Sequence, residues 1–182
     1  AAIETWKLAG GEEESSCPFH LAAAMEVHAS AIVSLAVAAD RLFSGTVDGT
    51  IGVCDVMTLQ RLFLVSSVHA GQVTSLIPWY GLCLSSSLDG KIKVWDPEMG
   101  MRLEHEHRAE HGILAMTGLA DSLGRQVLVC SMDDGTVCWY KLPYFRSMGF
   151  ISNRGKVWAV HPAPDASFFA GDTAGDISEW KC

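Results

Sequence analysis

No stretch of this 182-residue chain supplies the roughly 18–20 consecutive apolar residues that a membrane-spanning helix needs. Its first ten residues hold no basic region followed by an apolar run, so a secretory leader is not expected. Basic residues are scarce: 13 Lys and Arg stand against 21 Asp and Glu, a formal charge of −8. Affinity for phosphate backbones comes from Lys and Arg, so this balance runs opposite to that of a nucleic-acid binder. The six cysteines, 17, 54, 83, 130, 138 and 182, include no Cys-x-x-Cys pair, so no zinc-finger pattern lies within the chain. Cys54, Cys83 and Cys130 sit in apolar stretches and read as small buried residues. A reducing compartment, nuclear or cytoplasmic, is expected. The 17 glycines are dispersed and form no phosphate-binding loop. No Gly-x-Ser-x-Gly elbow surrounds Ser85, Ser86 and Ser87.

What the chain does have is internal repetition. Leu42–Asp55, Cys83–Asp96 and Leu128–Lys141 share one pattern: an apolar run, Asp-Gly, then alternation toward an aromatic residue or its replacement. Asp-Gly between alternating runs signals a β-hairpin, because the turn needs positive φ. The turns centre on Asp48-Gly49, Asp89-Gly90 and Asp134-Gly135. A fourth copy, Phe168–Lys181, turns at Ala174-Gly175. Successive turns lie 41, 45 and 40 residues apart, the period of four-stranded propeller blades. Upstream, His28-Ala-Ser-Ala-Ile-Val-Ser-Leu matches His69-Ala-Gly-Gln-Val-Thr-Ser-Leu without a gap. The third copy offers His107 or His111 at this place, and the fourth Asn153.

A histidine before the first strand, Ser or Thr in the second, Asp at the turn and Trp closing the third resemble the WD-repeat family. The resemblance implies a hydrogen-bonded tetrad within each blade. The second copy has the full set: His69, Ser85 or Ser87, Asp89 and Trp95. The first has His28, Ser44 or Thr46, and Asp48, with Cys54 in place of Trp. The third has Asp134, with Tyr140 at the Trp position, and the fourth only Trp180. More narrowly, Arg41–Gly45, Leu84–Trp95, Glu110–Ala115 and Phe169–Asp172 are similar to the C-terminal half of plant CCCH zinc-finger WD-repeat proteins. That resemblance implies zinc and nucleic-acid binding by an N-terminal finger, which these residues do not contain. No cofactor is expected here.

The expected fold is all-β, a partial propeller of four-stranded antiparallel blades. The expected segments are 1–27, the end of a truncated blade with a polar loop at 10–18; blades at 28–68 and 69–106; and degenerate blades at 107–152 and 153–182. Propellers close with four to eight blades, and seven is common in the family resembled. The chain therefore reads as the C-terminal portion of a longer protein.

The densest set of potential ligands is His105-Glu-His-Arg-Ala-Glu-His111. Its spacing is not that of a metalloprotease helix. It falls where an interblade connection belongs and reads as a solvated loop, with no metal site. His28 and His69 invite a general-base reading, each with a carboxylate 20 residues on. Recurrence argues against it, since a catalytic pair occurs once and a structural tetrad once per blade. Trp79, Tyr80, Arg108, Arg125 and Arg154 form a possible interaction surface, because aromatics and Arg dominate interface energetics. The alternative for Trp79 is packing between blades. Leu142–Phe145 and Trp158 read the same way.

The expected function is a non-catalytic scaffold that holds a protein or peptide on one propeller face. Nucleic acid is reached only through the absent finger, and no membrane or small-molecule substrate is involved. The alternative is a regulator whose propeller touches RNA or DNA directly.

Overall fold

The alternation of the sequence becomes five antiparallel sheets in the computed structural model, which describes residues 1–8 and 19–181. The polar loop expected at 10–18, with Cys17 and Cys182, lies outside the described residues. β1 (Ala2–Leu8) pairs with β2 (Phe19–Glu26) as a two-stranded sheet. Blade one comprises β3 (Ile32–Ala38), β4 (Arg41–Thr46), β5 (Ile51–Asp55) and β6 (Arg61–Val65). Blade two comprises β7 (Val73–Trp79), β8 (Leu82–Ser87), β9 (Lys91–Asp96) and β10 (Arg102–Arg108). Blade three comprises β11 (Ile113–Ala120), β12 (Gln126–Met132), β13 (Thr136–Lys141) and β14 (Arg146–Ser152). Blade four has three strands among the described residues: β15 (Val157–Ala163), β16 (Ser167–Asp172) and β17 (Ile177–Lys181).

Each blade meanders in chain order, so its connections alternate between two ends. The turns between second and third strands carry Gly49, Gly90, Gly135 and Gly175, all at φ between +76° and +90°. A Cβ on Gly49 would also sit 2.1 Å from the His69 carbonyl oxygen, so a side chain is excluded there twice over. Beside each turn a carboxylate accepts backbone N–H groups: Asp48 from Thr50, Asp89 from Lys91, Asp134 from Thr136, and Asp172 from Ala174 and Asp176. This is the local chemistry that selects Asp there.

The core is divided between blades rather than enclosed within one. Phe43, Ile51 and Val53 of blade one meet Val73, Leu76, Cys83 and Trp95 of blade two. On the other face of blade two, Leu84, Ile92 and Val94 meet Ile113, Met116, Leu128 and Cys130 of blade three. Val127, Val129 and Val137 then meet Val157, Phe168 and Ala170 of blade four. Ile3 and Val27 pack on Leu42 and Cys54. Adjacent residues such as Cys83 and Leu84 thus serve opposite interfaces, and both are fully buried. This is why the second strands read as continuous apolar runs rather than alternating ones. Hydroxyl groups fix the inner strands against one another. Ser34 donates to the Val73 carbonyl at 2.8 Å, and Thr74 to the Ile113 carbonyl at 2.8 Å.

One sequence expectation fails here. His105 and His107 do not lie in a connecting loop but in β10, the outer strand of blade two. An outer strand has a partner on one side only and is largely exposed, so its composition is polar like that of a loop. His107 stacks on Phe145 at 5.1 Å and meets Tyr140 edge-on at 4.8 Å. His105 also stacks on Phe145, at 5.1 Å.

Candidate functional site

The recurrent polar residues come together most completely in blade two. His69 Nδ1 lies 3.2 Å from both Asp89 oxygens, and His69 Nε2 lies 2.8 Å from Ser85 Oγ. Trp95 Nε1 donates to the same Oγ at 2.8 Å. One proton arrangement satisfies every group: Nδ1–H donates to the carboxylate, Ser85 donates to Nε2, and Ser85 accepts from the indole. Ser85 is fully buried, and it, not Ser87, is the serine of the network. Ser87 Oγ instead accepts the Asp89 N–H at 3.1 Å. Burial holds the His69 imidazole below its ordinary value, against the pull of Asp89. A neutral histidine with both nitrogens engaged has no free site for a substrate proton.

The other blades keep parts of this chain. In blade one, His28 Nε2 lies 2.7 Å from Ser44 Oγ. Asp48 accepts from Thr46 Oγ1 at 2.5 Å rather than from His28. Gly52 faces Ser44 across the strands, where Lys93 faces Ser85. A Cβ on Gly52 would fall 2.7 Å from His28 Nε2, so glycine leaves room for the imidazole. In blade three, Cys130 stands where the serine does, paired with Cys138. His111 Nε2 approaches Asp134 at 3.4 Å with both side chains partly exposed.

Blade four departs from the expected pattern. Trp180 does not bond to its second strand, where Ala170 occupies the serine position opposite Ser178. Its indole donates to Ser178 at 2.8 Å instead. Asn153 Nδ2 donates to Asp172 Oδ2 at 2.9 Å. Asp172, two residues before Ala174 at the turn, was not singled out by sequence pattern because it lies outside the Asp-Gly register.

The five residues anticipated as an interaction surface do not gather. Trp79, Tyr80 and Arg125 lie at the end bearing the turns that join first to second strands. Arg108 and Arg154 lie at the Asp-Gly end. Trp79 is half-buried and packs against the core between blades two and three, which is the packing alternative. Tyr80 is exposed, 5.6 Å from Trp79 and edge-on to it. The Arg125 Nε–H donates to Asp121 at 2.5 Å. Arg108 and Arg154 are exposed.

What does gather was not legible in the repeats. Met57, Met99 and Tyr144, on turns joining third to fourth strands, and Tyr80 and Leu123, on turns joining first to second, are all exposed. Both kinds of turn lie at one end of the blades. That end therefore carries large apolar side chains at its tips across three successive blades. Among the described residues no group of three or more His, Cys, Asp or Glu is placed to hold a metal ion.

Comparison with known proteins agrees with this geometry. The family description "WD domain, G-beta repeat" matches residues 61–96. The chain is 41% identical over 165 residues to zinc finger CCCH domain-containing protein 17 of Oryza sativa subsp. japonica, covering 90% of this chain and 38% of that protein. It is 32% identical over 181 residues to zinc finger CCCH domain-containing protein 62 of Arabidopsis thaliana, covering 98% of this chain and 43% of that protein. The chain thus spans about two fifths of the length of these relatives. Among solved structures, the computationally designed Ika4 protein superposes with a TM-score of 0.71 at 26% identity, over 86% of this chain and 94% of that one. U3-55K superposes with a TM-score of 0.76 at 18% identity, over 89% of this chain and 51% of that one, a likeness of fold. WD-repeat propellers are generally non-catalytic scaffolds and commonly bind protein partners. By its repeats and its architecture this chain is a WD-repeat β-propeller chain, similar over most of its length to plant proteins named for CCCH zinc fingers.

Proposed function

We propose that this chain is a non-catalytic scaffold that engages protein partners through the turn tips at the end opposite the Asp-Gly turns. One observation carries the reading. Met57, Tyr80 and Tyr144 are 86%, 77% and 88% exposed, on turns fixed by three successive rigid blades. Clustered exposed apolar side chains mark interaction sites, and preorganised loops bind with little ordering cost. The recurrent His, Ser and Asp groups support the same reading from the other side, since blade two turns them inward on one another. The relatives' name supports a larger protein that carries a CCCH zinc finger; in this reading the finger meets nucleic acid while the propeller holds a protein. The free thiols of Cys54, Cys83, Cys130 and Cys138 fit a nuclear or cytoplasmic setting.

The test replaces Met57, Tyr80 and Tyr144 together by serine and compares proteins retained from a cell extract. Loss of retained proteins with an unchanged unfolding transition supports the reading. Equal retention sinks it, and salt-dependent retention of RNA by the chain favours direct nucleic-acid contact instead.

A further inference from the structure

We propose that the cleft between blades two and three is a binding site for a lysine or arginine side chain presented by a peptide partner. The cleft holds about 510 Å³ and opens near the Asp-Gly end, away from the turn tips, so it stands independently of the function proposed above. One wall is the end of β10 with the connection that follows; the other is β13 and β14. Tyr140 and Cys138 form its floor and His107 a side. Phe150, 67% exposed, stands at the rim. Glu110 and Asp134 lie at its mouth.

The chemistry of the cleft selects a cation. Tyr140, Phe150 and His107 offer aromatic faces and edges, and a guanidinium or ammonium group over an aromatic face is favoured. Carboxylates at the mouth add charge-assisted hydrogen bonds. Arg108 and His111 also border the cleft. Even so, the carboxylates at the mouth reach the groups inside. Burial pushes up both the Cys138 thiol and the Tyr140 phenol; Asp134 and, more weakly, Glu110 act on Cys138 in the same sense, and Glu110 adds a small push at Tyr140. Burial, with the neighbouring His105, keeps His107 below its ordinary value, which disfavours a competing cation there. An anionic ligand would meet these carboxylates unfavourably. The apolar stem of a basic side chain suits the walls, while its charged head meets Glu110 and Asp134.

The test titrates the chain with pentapeptides of the form acetyl-Gly-Gly-X-Gly-Gly-amide, followed by backbone amide NMR, with X as arginine, lysine, norleucine or glutamate. Saturable shifts at Thr136, Tyr140, Gly149 and Phe150 are expected for arginine and lysine alone. Glu110→Gln, at an exposed position, is expected to weaken arginine binding about tenfold, with the spectrum elsewhere unchanged. Phe150→Ser serves as a second variant with the same direction. Equal binding of the norleucine peptide overturns the proposal by making the cleft merely apolar. Strongest binding of the glutamate peptide overturns it by making Arg108 the anchor. So do the absence of saturable shifts and an arginine affinity indifferent to both variants.

Discussion

Asn153 donates its side-chain N–H to Asp172 at 2.9 Å, in blade four where His69 and Asp89 stand in blade two. The pair keeps the bond between the entry of the first strand and the turn, using a shorter donor and a carboxylate two residues earlier. Asp172 also accepts from Ala174 and Asp176 at 2.9 and 3.1 Å, so one side chain ties three parts of the blade. Asp172→Ala should therefore open β16 and β17 locally. Faster hydrogen exchange at Gly171 to Ser178, with exchange in blade two unchanged, is the expected result.

Much of this architecture could be read from residue order, because Asp-Gly turns and their spacing are local chemistry. The serine of the tetrad could not. Ser85 and Ser87 share a face of β8, and only their distance from His69 and Trp95 along the strand separates them. Blade four was legible by its turn and its tryptophan, but Ala170 at the serine position redirects Trp180 to Ser178. The histidines of β10 look like loop residues in the sequence because an outer strand is largely exposed and polar. Tyr80 and the Leu142–Phe145 segment stand out by residue type, but the gathering of the apolar turn tips at one end is hidden for another reason. Met57, Tyr80, Met99, Leu123 and Tyr144 occupy two kinds of turn; only Met99 and Tyr144 share a repeat position, each ten residues after the Asp of its Asp-Gly pair, and the meander alone brings those turns to one end.

The interblade cores should be sensitive to volume in both directions. Phe43 is 1% exposed and lies between blades one and two. Phe43→Ala should destabilise the chain by about 3–5 kcal/mol, from lost transfer energy and the cavity left behind. Gly52→Ala should also destabilise it, because the added methyl meets His28 and Ser44 at 2.7–2.9 Å; about 1–3 kcal/mol is expected. Denaturant unfolding of each variant measures both.

Acidification should weaken the fold. Burial lowers His69 below 6.5, and the same cause lowers His28 and His107. The unfolded chain then binds protons more readily than the folded one. Stability from these histidines is present above about pH 6.5 and is lost as pH falls below it. The turn carboxylates Asp48, Asp89, Asp134 and Asp172 are also held below 3.8 by their hydrogen bonds. They extend the loss at lower pH with the same sign. The melting temperature should be level above about pH 7 and decline below 6.5. His69→Gln should flatten the upper part of that decline while lowering stability overall.

The recurrent polar residues brace the sheets through one another, and Ser85 is where His69 and Trp95 meet. A double-mutant cycle on His69→Ala and Trp95→Phe, read by urea unfolding, addresses that coupling most directly. The two substitutions should interact by about 0.5–3 kcal/mol, with the double variant less destabilised than the sum of the singles. Additivity within about 0.3 kcal/mol would show that the two side chains do not act through a shared serine, and would contradict the account.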